Sequence, residues 1–158
     1  MNVMQLKAFA DQHNPWRCRA WGGVAQNVNN GSFSWPAMTV IDFDPSGMVT
    51  TGTTAAAAKA VVTIPVDGIY YVGVSGCIAA LPDGGRMVVS IFKNGAEVKR
   101  GMDWLSGGAA AMTGQCNAIL YLKAGDTLAM GQFTATAAMS TVIGSPLLFI
   151  SVAYLCAA

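Results

Sequence analysis

Charge is scarce in this 158-residue sequence: Asp, Glu, Lys and Arg together make up 11% of it, against about a quarter in an average soluble domain. Nine basic and eight acidic residues nearly cancel, to a formal charge of +1. That leaves no electrostatic footprint for nucleic acid or for an anionic membrane surface. Titratable chemistry is scarcer still. His13 is the only histidine and Glu97 the only glutamate, whereas acid–base catalysis needs several titratable groups that converge. No nucleophile has an evident base partner, so an enzyme is not expected, nor a cofactor. A spanning helix needs about 20 consecutive apolar residues. The longest candidate, Ser145 to Ala158, is interrupted by Pro146 and Ser151, so no membrane partner is expected. Met1 to Pro15 contains Asn2, Gln5, Lys7, Asp11, Gln12 and Asn14 and lacks the apolar stretch of a secretory signal.

Close cysteine spacing is missing too. Cys18, Cys77, Cys116 and Cys156 lie far apart and form no CxxC pair, whereas zinc sites want closely spaced thiolates. Buried free thiols are the expectation. Gly84-Gly85 and Gly107-Gly108 precede neither Lys-Ser/Thr nor a helical pattern, so they read as loop residues and not as a phosphate cradle. Asp42 and Asp44, two apart on an extended segment, share a face and could hold calcium with backbone carbonyls. A solvated pair ahead of the Pro45 turn is the ordinary alternative, and no metal site is assigned.

What the sequence has in quantity is apolar residues, 53% of the total, arranged without helical periodicity. Short β-branched or aromatic runs recur between Gly, Pro, Asn and Asp clusters. Strands are expected at Arg17 to Val24, Phe33 to Phe43 with a break at Pro36, Val61 to Val66, Ile69 to Ala80 and Arg86 to Lys93. Others are expected at Ala96 to Arg100, Gln115 to Leu122, Thr127 to Phe133 and Leu147 to Leu155. Asn94-Gly95 is a strong hairpin signal, because a type I′ turn needs positive φ at both central residues. Met48 to Ala60 reads as short edge strands, and Gly101 to Gly114 as a Gly/Ala-rich excursion. About eight to ten antiparallel strands in a chain of this length define an all-β sandwich or jelly roll. Residues 1–16 read as an N-terminal arm and 17–158 as the domain.

Two strands are apolar on both faces. In Leu147 to Leu155, Leu147, Phe149 and Leu155 share one side, while Leu148, Ile150, Val152 and Tyr154 share the other. In Ile69 to Ile78, Tyr71 and Cys77 oppose Tyr70, Val72, Val74 and Ile78. One side can supply the core, so the second is expected to pack against another subunit.

The order of motifs resembles the complement-1q globular-head and tumour-necrosis-factor superfamily. Val62-Thr63-Ile64-Pro65-Val66-Asp67-Gly68-Ile69-Tyr70-Tyr71-Val72 looks like that superfamily's signature, a strand ending in Pro that leads through Gly into an Ile-Tyr-Tyr strand. Ile91-Phe92-Lys93-Asn94-Gly95 is similar to its strand and hairpin, and Leu120-Tyr121-Leu122-Lys123-Ala124-Gly125-Asp126-Thr127-Leu128 to its glycine–aspartate element. Phe149-Ile150-Ser151-Val152-Ala153-Tyr154-Leu155 is similar to its last central strand. The resemblance implies a jelly roll that assembles as a homotrimer, with Tyr71, Phe149 and Tyr154 as candidate trimer contacts. Val62 and Val72 stand where the superfamily commonly has Phe, and no collagen-like stalk precedes the domain. Stalkless domains of this kind look like bacteriophage capsid decoration proteins and fibre heads. The expectation is therefore a structural virion protein, assembled in the host cytoplasm, that cements a phage head through the major capsid protein. The alternative is a fibre-tip or tail-associated head recognising a host glycan or surface protein through the loops Leu81 to Gly85 and Gly101 to Gly114. Trp16 and Trp104 are the candidate partner contacts, since tryptophans are common interface anchors.

Overall fold

The computed structural model describes residues 14–51, 60–101, 103–108, 110–135, 139–142 and 147–158. The regular structure among them is entirely β. In chain order the strands are β1 (Arg17–Trp21), β2 (Asn27–Val28), β3 (Val40–Phe43), β4 (Val49–Thr50), β5 (Val61–Thr63), β6 (Gly68–Leu81), β7 (Arg86–Lys93), β8 (Ala96–Arg100), β9 (Trp104–Leu105), β10 (Ala110–Leu122), β11 (Thr127–Thr134), β12 (Met139–Ser140) and β13 (Phe149–Cys156). One sheet has the order β10-β6-β13-β1-β3. The other runs β4-β5-β11-β7-β8 with β9 also on β7, and β12 pairs with β2 apart from both. Every strand-to-strand pairing is antiparallel. The two large sheets face each other as a jelly-roll sandwich, as the sequence led us to expect. The strand count exceeds eight to ten because β2, β4, β9 and β12 are two-residue pairings too short to leave a sequence pattern.

Turn chemistry explains the best-placed elements. Asn94 and Gly95 have φ of 51° and 84°, the left-handed pair a type I′ hairpin requires. β7 and β8 accordingly begin and end where the sequence put them. Asp44 opens another turn: its Oδ1 and Oδ2 accept the backbone N–H groups of Met48 and Val49, each at 2.8 Å. The expected Gly101 to Gly114 excursion is shorter than its composition implied. Ala110 to Gly114 belong to β10 because β6 is long enough to pair with them, Gly114 opposite Gly76 and Thr113 opposite Cys77. Conversely, Phe33 to Phe43 is extended only from Val40. Its first part meets β11 at a single isolated bridge, Ser34 to Gln132.

The core lies between the sheets. Tyr70, Val72, Val74 and Ile78 of β6 and Ile150 and Val152 of β13 face Met87, Val89 and Ile91 of β7 and Leu128 of β11, all at most 1% exposed. Each buried side chain of this size contributes roughly 1.5–3 kcal/mol. Cys18, Cys77 and Cys116 are buried free thiols, as expected. Burial pushes the Cys18 thiol up to about 12, with the Asp44 carboxylate adding to the effect and a backbone hydrogen bond opposing it. Cys156 departs from the expectation: it is exposed, beyond the point where β13 leaves the core.

A second apolar layer sits on the outer face of the β11 sheet. Ser34 and Gln132 exchange backbone hydrogen bonds of 2.8 Å in both directions. This places the Phe33 and Trp35 rings over β11, where they meet Phe92 at centroid distances of 5.0 and 4.6 Å. Gly131 makes that possible. A Cβ there would lie 2.5 Å from Phe92 Cε2 and 2.6 Å from Trp35 Cζ3. We expect Gly131→Ala to lower the thermal midpoint by an amount equivalent to about 1–3 kcal/mol, the usual range for overpacking. A thermal melt of wild type and variant side by side checks this.

Candidate functional site

Two surfaces carry the side chains that could meet a partner. The first is the outer face of the five-stranded sheet. Register puts Tyr71 of β6 between Ile119 of β10 and Ala153 of β13, and Ile69 opposite Tyr121. Tyr71, Ile119 and Tyr121 are 40, 67 and 47% exposed, an unusual density of large apolar groups on one sheet face. Tyr71 donates its hydroxyl to Asn117 Oδ1 at 2.9 Å, which fixes the ring along the face. Phe149 lies further along the same side, opposite Ser75 and Trp21, with the Arg19 guanidinium 4.7 Å from its ring centre. Asp42 serves this edge: it accepts the Trp21 Nε1–H at 2.8 Å and pairs with Arg19 at 3.6 Å. Asp42 and Asp44 thus direct their carboxylates to separate protein donors, Asp42 exposed and Asp44 half-buried. No cluster of three or more metal-ligating residues occurs among the described residues.

Of the three candidate trimer contacts, Tyr71 and Phe149 share this outer face and Tyr154 does not. Tyr154 points inward, one alternation step beyond Val152. It fills the end of the core against Tyr70 and Trp16, at centroid distances of 5.3 and 4.9 Å. Trp16 is thereby occupied within the chain. Its carbonyl accepts the Tyr154 N–H at 3.0 Å, and the Asn14 side chain donates to the Tyr154 carbonyl at 3.0 Å. The side chain of Trp104 lies outside the described residues, as does His13. Ile119 and Tyr121 were missed by sequence reasoning. Their signal is present in Ala118 to Leu122, a stretch apolar on both faces like Ile69 to Ile78 and Leu147 to Leu155.

The second surface lies on the other side of the sandwich. Phe33, Arg86, Val88, Arg100 and Phe133 line a cleft of about 70 Å³ on the outer face of β7, β8 and β11. Arg86 engages Asp103 through Nε and Nη2, and Arg100 engages Glu97 in the same manner. Glu97, the lone glutamate, also accepts the Ser90 hydroxyl at 2.7 Å. Hydrogen bonding to Arg86 holds the Asp103 carboxyl below its ordinary range, and hydrogen bonding to Arg100 does the same for Glu97. The two loops named as recognition candidates are tied together beside this cleft. Gly84 N donates to the Ser106 carbonyl, and Ser106 N to that of Gly85, each at 2.8 Å.

No protein-family model matches this sequence, and no curated protein matches it. Solved structures do match the fold. The chain is similar to Eiger TNF from S. frugiperda, with TM-score 0.66 and 16% identity over 90% of this chain and 93% of that one. It is similar to the globular domain of zebrafish complement 1qA protein, with TM-score 0.65 and 10% identity over 90% and 98%. Murine APRIL at pH 8.0 gives TM-score 0.61 and 12% identity over 88% and 98%. The fold is thus a jelly roll of the TNF/C1q-like kind. At these identities the likeness carries the fold alone, and function has to be argued from the site.

The turns at the opposite end of the sandwich carry a measurable pH signature. Burial of the Asp126 carboxyl acts to raise its pKa, but the Lys123 N–H, the Lys93 ammonium at 2.8 Å and the Asn94 amide at 2.7 Å outweigh it and pull the group to about 2. This lies below its ordinary 3.8, so the stabilisation is complete above about pH 4 and is lost as pH falls through about 2. We expect the Asp126→Asn variant to lose less thermal stability than wild type between pH 5 and about pH 2, read from melting curves across that range.

Proposed function

We propose that this chain is a structural, non-catalytic subunit that works as a homotrimer, with the outer face of the five-stranded sheet turned toward its copies. It serves on a bacteriophage particle as a capsid decoration protein. The observation that carries the self-association is the row of Tyr71, Ile119 and Tyr121, three large apolar side chains exposed on a single sheet face of one copy. A closed cyclic arrangement covers such a face on every subunit and leaves none open for further growth. The jelly-roll class fits this reading, as does a sequence with few charges to keep that face wet. The placement on a particle rests on sequence character: near-zero net charge and little titratable chemistry suit a protein whose output is buried contact area with the major capsid protein. The N-terminal arm, residues 1–16, is the segment assigned to that contact, although Asn14 and Trp16 within it also pack on Tyr154.

The expected native mass at micromolar concentration is three times the chain mass. Ile119→Glu should leave a folded monomer, because Ile119 contributes little to the core of one copy. A monomeric wild type, or an Ile119→Glu protein that stays trimeric, would overturn the self-association. Co-sedimentation with expanded phage capsids tests the particle role. Binding is expected for the full chain and lost on removal of residues 1–13 with the trimer intact; a trimer that ignores capsids overturns it.

A further inference from the structure

The cleft beneath Arg86 and Arg100 is not needed for self-association. It lies on the outer face of the other sheet. Its floor is apolar: Val88, only 1% exposed, is the register partner of Phe133, and the Phe33 ring lies 5.6 Å from that of Phe133. Its rim is polar. The Arg86 guanidinium lies 5.7 Å from the Phe133 ring centre and that of Arg100 lies 5.8 Å from Phe33. Each guanidinium presents Nε and Nη2 to its own carboxylate, which leaves Nη1 with no hydrogen bond among the described residues.

Three features choose a ligand class. First, the rim holds two cations and two anions, so its charge is already balanced. A carboxylate or phosphate entering here would have to displace Asp103 or Glu97, so the rim favours a neutral group. Second, fixed donors and acceptors stand side by side at an aromatic edge, which suits hydroxyl groups that both donate and accept beside an apolar C–H face. Third, 70 Å³ is about half of the roughly 150 Å³ that accommodates a benzene ring. The cleft therefore takes one small substituent and not a whole ring.

We propose that this cleft binds the acetamido group of a neutral N-acetylated sugar. The methyl group rests in the notch formed by the tilted Phe33 and Phe133 rings, above the buried Val88, the carbonyl oxygen accepts from an arginine Nη1, and the sugar hydroxyls meet the carboxylates at the rim. The site is set in advance of binding. Arg86 follows directly on the Pro82 to Gly85 turn, and Asp103 precedes Ser106, which ties its loop to that turn by the two backbone hydrogen bonds already described. Little ordering remains to be done when a ligand arrives.

The test is a nuclear magnetic resonance titration of the full chain with free N-acetylglucosamine, glucose or sodium acetate. N-acetylglucosamine is expected to shift the Val88 methyl and the Arg86 and Arg100 Nε–H signals saturably, with a Kd on the order of millimolar for so small a ligand. Glucose and acetate are expected to leave them in place. Arg100→Met removes a donor on an exposed residue and should weaken binding about tenfold. Val88→Phe, which fills the cleft, should abolish it. If Val88→Phe fails to fold, Arg100→Met decides the outcome alone. Shifts with acetate alone mean an anion site, and equal shifts with glucose mean that the acetyl group is not read. Either result, an absence of shifts with all three ligands, or undiminished binding by Arg100→Met overturns the proposal.

Discussion

The structure depends on β6 being held between two partners while both of its faces are in use. Its fourteen residues pair with β10 on one side and β13 on the other. Because side chains alternate with a period of two, that double pairing assigns Tyr70, Val72, Val74 and Ile78 to the core and Tyr71 to the outside together. A slip of one residue would exchange them, exposing the core set and burying Tyr71 against the opposing sheet. The outer surface is therefore a consequence of core packing. Ile119 and Tyr121 stand beside Tyr71 and Ile69 because β10 keeps the register that β6 imposes.

The few charged groups are used sparingly, in pairs that locate turns and edges. Lys93 with Asp126 ties the β7–β8 hairpin to the turn before β11, and Arg19 with Asp42 tethers β1 to β3. Arg86 with Asp103 and Arg100 with Glu97 frame the cleft. Exposed pairs contribute little to stability individually, with a median of about 0–1 kcal/mol. Their effect here is geometric. At the cleft, two guanidiniums lie over aromatic rings, each held by its own carboxylate. The two candidate surfaces thus differ in kind: one is broad and apolar, the other small and framed by polar groups.

Much of the fold was legible because turn chemistry is local. Asn94-Gly95 set β7 and β8, Asp44 to Gly47 set the turn before β4, and Asp67-Gly68 set the start of β6. Ala110 to Gly114 were not legible, since Ala and Gly have little strand preference of their own and pair only because β6 extends beside them. Tyr71, Phe149 and Tyr154 could be picked as aromatics of two-faced strands, but not sorted by face. Tyr154 could not be placed, because in a strand apolar on both sides nothing in the pattern says which side faces in. The cleft was illegible for a different reason: Phe33 and Phe133 are a hundred residues apart, and neither stands in a motif.

The sequence alone determined that this is an all-β chain with little charge, marked turns and strands dry on both faces. Those properties are read from period, composition and dihedral preference within a few residues. Only the tertiary structure decided which face is core, which aromatics reach the surface, and that two arginines, two carboxylates and two phenylalanines converge. These outcomes depend on strand register and sheet order, set by contacts between segments that no local pattern records.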